Sequence, residues 1–311
     1  MGQMAEFERL KRMTTTWKLR SRTLELGRRT LVMGVVNITP DSFSDGGKFL
    51  NAEAAIAHGI RLLDEGADLL DLGAESTRPG SKAGVDEPAV SAAQEQNRLL
   101  PVLGGILKER PEAIVSIDTY KAETARAGLA AGAEIINDVS GFLWDPAIAG
   151  VCAEAGCGVV LMHTRGRPEE WKTQTQLPPN ELLVTVRAGL GASLDRAAEA
   201  GIAREAIVLD PGYGFGKRRE ENFALLARQA ELLNLGRPLL AGVSRKSFLG
   251  HALAPLRGGT IAPVKERETA SLAALTAAIL HGASVVRVHR VREAREAAAI
   301  ADAVGRIHLP G

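Results

Sequence analysis

Cysteine is nearly absent from this chain: Cys152 and Cys157 are the only two in 311 residues. Two thiols cannot build a disulfide framework or a cysteine-rich zinc site. They are expected to be reduced and packed, which suits a cytoplasmic protein. Aromatic residues are also scarce, at 4%. Net charge is close to nil, with 38 Lys and Arg against 37 Asp and Glu and no long run of either sign. That balance argues against a nucleic-acid surface as the main function. No stretch of about 18 apolar residues occurs, so no membrane span is expected. The opening MGQMAEFERLKR lacks the apolar core of a secretory signal. Glu6 stands where a myristoylation signal needs Ser or Thr.

What is plentiful is small and apolar. Apolar residues make up 45% and there are 33 glycines, a balance that suits closely packed helices and tight turns. Eight short apolar runs recur: Leu31–Val36, Leu69–Leu72, Ile114–Ile117, Glu134–Ile136, Gly158–Met162, Ile207–Leu209, Leu239–Val243 and Val285–Val288. Near-continuous apolar strands are expected where both faces are covered. Their spacing averages about 35 residues, the length of a strand–helix unit. Between them the pattern turns helical. Ile56, Ile60 and Leu63 share one helix face, with Asn51 as the expected N-cap and Gly66 as the stop. Ala270–Leu280 and Ala294–Ile307 read the same way, and His251–Glu266 reads as a surface loop. Thr16–Leu19 and Thr23–Leu26 alternate around Ser21–Arg22 and predict a small hairpin over the closed end. The fold class implied is α/β, a (β/α)8 TIM barrel over residues 31–311, preceded by an N-terminal extension and β-hairpin over 1–30. A doubly wound open sheet is the rival. It would want GxGxxG after its first strand, whereas this chain has NITPDSFSDGG.

Each run ends in a polar group: Asn37, Glu75 to Arg78, Asp118, Asn137 and Asp138, His163, Asp210, Ser244 to Lys246, and Arg287 with His289. In such a barrel those ends form the mouth where chemistry is done. Any one of them alone is more simply a helix cap; all eight together are not. Asp118, Asp210 and the amide Asn137 can grip the donor-rich edge of a heterocycle, as a carboxylate grips Arg. Lys246 supplies donors to carbonyl or ring-nitrogen acceptors. Arg78, Arg287 and His289 are cationic groups suited to phosphate. Asn37 offers a hard oxygen, with Asp41 and Asp45 in the loop behind it. Mg²⁺ takes few protein ligands besides waters and phosphates, so a heterocycle with a diphosphate tail and a Mg²⁺ suits this mouth.

The segments MGVVNITPDSFSDGG (33–47), DLGAESTRPGS (71–81), SIDTYK (116–121), EIINDVSG (134–141), VVLMHTRGRP (159–168), LDPGYGFGK (209–217), GVSRKSFLG (242–250) and RVHRV (287–291) carry a resemblance. The chain resembles the dihydropteroate synthases of the pterin-binding barrel group over nearly the whole barrel. The resemblance implies condensation of 6-hydroxymethyl-7,8-dihydropterin diphosphate with p-aminobenzoate in folate biosynthesis, releasing diphosphate by a dissociative path. It implies catalytic roles for Asp118, Lys246, Asn37, Arg287 and His289. The pterin would be bound by Asp118, Asn137, Asp210 and Lys246, with Met162 and Arg287 flanking the ring. The p-aminobenzoate would meet Thr77, Arg78, Pro79, Phe43, Phe215, Ser244 and Lys246. Asn37, Arg78, Arg287 and His289 would hold diphosphate, with Mg²⁺ on Asn37. A homodimer and a sulfonamide target are implied too.

The chain departs from the pattern at Arg290, where an Asp is usual, at Thr164 for Met and at Ala74 for Gly. If that Asp orients His289, Arg290 removes the support; Arg290 itself is expected in solvent. His163 reads as a supporting residue more than a ligand contact. Two other readings stay open. A corrinoid-linked folate methyltransferase would keep the Asp and Asn set but need no diphosphate site. A non-catalytic paralogue should have lost one of Asn37, Arg78, Lys246 or His289.

Overall fold

The computed structural model describes residues 14–38, 48–75, 83 and 90–306. Strands β1 (Thr15–Lys18) and β2 (Thr23–Leu26) pair antiparallel as the expected hairpin. Eight parallel strands then close on themselves in chain order, the last pairing with the first. They are β3 (Leu31–Asn37), β4 (Leu69–Gly73), β5 (Val115–Asp118), β6 (Ile135–Asp138), β7 (Gly158–Met162), β8 (Ile207–Asp210), β9 (Leu239–Ala241) and β10 (Ala283–Val288). The helices between and after them are α1 (Lys48–Asp64), α2 (Ala92–Glu109), α3 (Ala122–Ala130), α4 (Ala147–Ala155), α5 (Pro179–Glu199), α6 (Arg219–Arg228), α7 (Ser247–Ala252), α8 (Glu268–Leu280) and α9 (Val291–Arg306).

Strand alternation explains why the apolar runs look continuous. Side chains of one parity face the helices: Val32, Val36, Leu70, Leu72, Val115, Ile117, Val159, Leu161, Val286 and Val288 join one large core with helical residues. The other parity points into the barrel. Its lowest layer is Leu31, Met33, Leu69, Ile135, Val160, Val208, Leu240 and Val285, packed with Trp17, Leu19 and Leu26 of the hairpin region. The hairpin therefore plugs the closed end. Trp17, fully buried, donates its indole N–H to the Ala206 carbonyl at 2.9 Å. One step higher the same parity turns polar, with Asp71 opposite Ser116 and Asp118 opposite Asn137. A register slip of one residue would exchange these polar groups with the helix-facing core.

Three local expectations need correction. α1 begins at Lys48, so Asn51 lies inside its first turn rather than capping it. No helix breaker stands at 48–50, and the helix extends back through them. β9 ends at Ala241, two residues short of the predicted run, because the chain turns at Val243, whose carbonyl accepts the Lys246 N–H at 3.4 Å. The stretch 251–266 is not a plain loop: it contains the end of α7 and two short 3₁₀ turns, Ala254–Arg257 and Val264–Glu266. Both cysteines are buried and free. Among the described residues no helix is long and apolar enough to cross a membrane.

Candidate active site

Asp71 is the centre of the polar layer. It is fully buried on β4 and accepts from Ser116 Oγ at 2.6 Å, Asn137 Nδ2 at 3.0 Å and Arg287 Nε at 2.6 Å. Arg287 reaches on with Nη2 to Asp118 Oδ2 at 2.7 Å. One guanidinium thus joins two carboxylates across the barrel mouth. Burial works against the Arg287 charge, but Asp71 and Asp118 outweigh it and hold the group above its ordinary range. Burial lifts Asp118 to about 7; Arg287 opposes that lift, while Asp71 and Glu95 add to it. A carboxylate can only accept, so the Asn137 amide must turn Nδ2 to Asp71, leaving Oδ1 as its free acceptor. Arg287, expected as a cation for phosphate, is held in this structure by Asp71 and Asp118.

Asp210 ends β8. One oxygen accepts the Gly212 N–H at 2.7 Å, and the other lies beside Gly242. Burial raises its pKa, against the Gly212 N–H and Lys246. The Lys246 ammonium sits 3.9 Å from the centre of the Phe215 ring, a cation–π distance. Burial lowers Lys246 to about 8, opposed by Asp210. Phe215 meets Trp171 edge-on at 5.0 Å. Met162 packs with Tyr120, Val139 and Ala83, with Phe215 and Trp144 against them. The Phe215 turn owes its shape to two residues. Gly212 has a φ of +73°, and a Cβ there would come within 1.9 Å of the His163 carbonyl oxygen. Lys217, buried, donates to the carbonyls of His163 (3.0 Å), Gly212 (2.7 Å) and Phe215 (3.3 Å). Three acceptors match the three N–H bonds of an ammonium.

The diphosphate side is partly described. Asn37 is exposed at the end of β3. His289 is half-buried, and its Nδ1 lies 3.0 Å from Ser244 Oγ. Burial, then Arg245, Arg287 and Lys246, push His289 down to about 3, so the ligand-free ring is neutral near pH 7. Ser244 was expected on the p-aminobenzoate side; here its hydroxyl is engaged by His289. Arg290 points outward as expected and pairs with Glu293 on α9. Ser244 is thus the described partner of the imidazole, and Arg290 takes no part in holding it. Asp41, Phe43, Asp45, Thr77, Arg78 and Pro79 lie outside the described residues.

Two strand ends do not face the mouth. His163 is buried against α5, where a Cβ on Gly189 would come within 2.5 Å of its ring. Its Nδ1 has no partner, and burial, Lys217 and Arg165 depress its pKa. It belongs to the sheet–helix layer. Asp138 also points outward and caps the N–H groups of Ser140 (2.7 Å) and Phe142 (2.8 Å). Sequence reasoning missed Asp71, Lys217 and Ser116. The signal for Asp71 was available: it is the one charged residue inside the apolar run LLDLG. A cavity of about 540 Å³ opens on the outer side of the Phe215 turn, lined by Trp171, Gly214, Lys217, Ser247 and Phe248 among others. None of Asp118, Asn137, Asp210 or Arg287 lines it.

A parallel barrel with carboxylates, an amide, a lysine and an arginine converging on its mouth is the architecture of a class. Residues 33–289 match the family described as pterin binding enzyme, and the chain belongs to that family. It is 44% identical over 268 residues to the dihydropteroate synthase of Mycobacterium leprae, covering 86% of this chain and 90% of that one. It is 40% identical over 280 residues to that of Synechocystis, covering 90% and 92%. The Xanthomonas albilineans dihydropteroate synthase with 4-aminobenzoic acid superimposes with a TM-score of 0.82 at 38% identity, covering 95% of this chain and 100% of that one. The same organism's enzyme with 7,8-dihydropteroate gives 0.78 at 36% identity, covering 94% and 100%. The chain is a transferase of the dihydropteroate synthase group.

Proposed function

We infer that the chain joins 6-hydroxymethyl-7,8-dihydropterin diphosphate to p-aminobenzoate, releasing diphosphate and 7,8-dihydropteroate. The observation that carries this reading is the Arg287 link between Asp71 and Asp118, with Asn137, Asp210 and Lys246 in the same polar layer. Asp210 takes the paired N–H groups of the pyrimidine edge. Asn137, with Nδ2 turned away, accepts beside it through Oδ1. Lys246 donates to the carbonyl and ring-nitrogen side. The C–O bond to diphosphate breaks first, and its electrons leave with the diphosphate. The resulting pterin methylene cation is stabilised by the Asp118 carboxylate, a charge preorganised by Arg287. The arylamine nitrogen then forms the C–N bond and releases its proton. Arg287, through its remaining N–H groups, and His289 hold the departing diphosphate, and Thr77, Arg78, Pro79, Phe43 and Phe215 hold the arylamine.

Asn37, exposed at the end of β3, would offer its amide oxygen to an ion that arrives with the diphosphate. Mg²⁺ bound there would neutralise charge on the leaving diphosphate.

A Yersinia pestis dihydropteroate synthase is known as a sulfonamide drug complex, 37% identical and covering 93% of this chain with a TM-score of 0.81. That supports sulfonamides as competitors for the arylamine pocket here. We also assign a homodimer. The exposed apolar Leu256, Ile261 and Val264 between α7 and α8 supply surface that a second copy would cover, and sedimentation tests it. The buried free thiols suit a cytoplasmic setting. The decisive experiment incubates the protein with dihydropterin diphosphate, p-aminobenzoate and Mg²⁺. Dihydropteroate should form with one diphosphate released; neither product appearing would overturn the reading. Pterin diphosphate binding without turnover would favour the non-catalytic paralogue.

A further inference from the structure

Arg245 has a backbone φ of +61°, in the left-handed region that a residue with a Cβ seldom adopts. It stands between two groups that face the site. Ser244 Oγ lies 3.0 Å from His289 Nδ1, and the Lys246 ammonium lies 3.9 Å from the Phe215 ring centre. Arg245 itself is gripped on every side. Its N–H donates to Ser271 Oγ at 2.9 Å, and its carbonyl accepts from Arg267 Nη1 at 3.0 Å. Its Nε donates to Glu268 Oε1 at 2.6 Å. All three partners lie at the start of α8. Ser271 Oγ passes the chain on to the Arg267 carbonyl at 2.7 Å. Arg267 is wedged against α7, where a Cβ on Gly250 would come within 2.5 Å of its Nε. An unfavourable backbone conformation persists only where its surroundings over-determine it, as they do here.

We propose that Arg245 is a positioning residue: the first turn of α8 holds it left-handed, which sets Ser244 against His289 and Lys246 over Phe215 at once. One turn thus governs both the diphosphate side and the arylamine side. What those two sides bind rests on the dihydropteroate synthase reading; the geometry does not. Ser244 fixes which imidazole nitrogen is left for the mouth. When its hydroxyl donates to Nδ1, Nε2 carries the hydrogen and donates toward the phosphate.

Three variants test this. Arg245→Ala loses the side-chain grip and keeps the strain, Arg245→Gly loses the grip but accepts the left-handed backbone, and Glu268→Gln removes the charge that holds the guanidinium. Arg245→Ala and Glu268→Gln should lower kcat/KM for dihydropterin diphosphate and for p-aminobenzoate together, on the order of tenfold or more, as expected for displaced groups. Arg245→Gly should fall less than Arg245→Ala. In the ligand-free protein, the ¹⁵N signals of the His289 ring should move in Arg245→Ala toward those of Ser244→Ala. A loss confined to one substrate would make Arg245 a contact and overturn the proposal. So would a lower Tm with the His289 signals and both kcat/KM values unchanged. If the wild-type protein makes no dihydropteroate, the functional reading fails, while the His289 signals still decide the positioning.

Discussion

Asp71→Asn keeps the shape of a fully buried side chain and removes its charge. Three donors face that carboxylate, from Ser116, Asn137 and Arg287. An amide offers its oxygen to some and turns its own NH₂ toward the rest, so donors oppose donors. Breaking a buried ion pair costs about 3–5 kcal/mol. Arg287 is 21% exposed and keeps Asp118 at 2.7 Å, so solvent and the second partner bring the expected loss to about 2–3 kcal/mol. Against a typical total of about 5–15 kcal/mol the variant stays folded.

The effect on pH dependence is sharper. Burial lifts Asp118 to about 7 and Asp71 adds to that lift. Only the ionised form stabilises a pterin cation, so wild-type kcat/KM should fall as pH drops through about 7 and hold above it. On the alkaline side Lys246, held down to about 8, loses its charge and closes the profile. His289, near 3, stays neutral throughout. At an effective dielectric near 20, unit charges a few ångströms apart interact by about 4 kcal/mol. Arg287 lies between the two carboxylates and compensates much of this. Losing the Asp71 charge should therefore move the acid limb down by about one unit, or about 1.4 kcal/mol. The assay is kcat/KM for dihydropterin diphosphate across the neutral range, with saturating p-aminobenzoate. An acid limb that does not move in Asp71→Asn would refute the claim that Asp71 sets the Asp118 charge.

Three further outcomes follow from packing. Lys217→Met strips a buried donor from three carbonyls; a loss of about 2–4 kcal/mol is expected, seen by calorimetry as a Tm lower by roughly 5–10 °C, with p-aminobenzoate KM raised because the Phe215 turn relaxes. Gly189→Ala drives a Cβ into the His163 ring and should destabilise by about 1–3 kcal/mol; adding His163→Ala should recover part of that in a double-mutant cycle, and additivity would show the ring lies elsewhere. Trp17→Ala empties the closed end of the barrel and should cost about 3–5 kcal/mol in denaturant while kcat below the transition stays at the wild-type value; a fall in kcat would mean the plug reaches the mouth.

The barrel was readable because both strand faces are buried, which makes the runs apolar, and because α/β spacing is regular. The hairpin was readable from its alternation. Side-chain direction was not. A strand end such as Asn137–Asp138 shows two polar residues, and only register decides that Asn137 meets Asp71 while Asp138 caps Ser140 and Phe142. Register also sorts the end of β7: His163 follows the strand by one residue and takes the outward parity, in keeping with a supporting residue, while Met162 takes the inward one. Asp71 was passed over because it lies mid-strand, below the ends where catalytic groups are sought.

That mid-strand carboxylate changes how the resting site is understood. Without substrate, Arg287 is neutralised by Asp71 and Asp118, and Lys246 rests on an aromatic face. The mouth keeps its charges paired with one another instead of leaving them bare in a partly buried space, where an unpaired charge is costly. Substrate must then substitute for these internal partners. A pterin edge replaces nothing at Asp71, which has no exposed surface, so Arg287 Nε can stay anchored while Nη2 is released from Asp118. In the proposed reaction the anchored arginine would turn toward diphosphate and leave Asp118 with the pterin as its nearest partner. Asp71 would then be the fixed pivot and Asp118 the working carboxylate, because one oxygen pair is sealed beneath the layer and the other is open to the mouth.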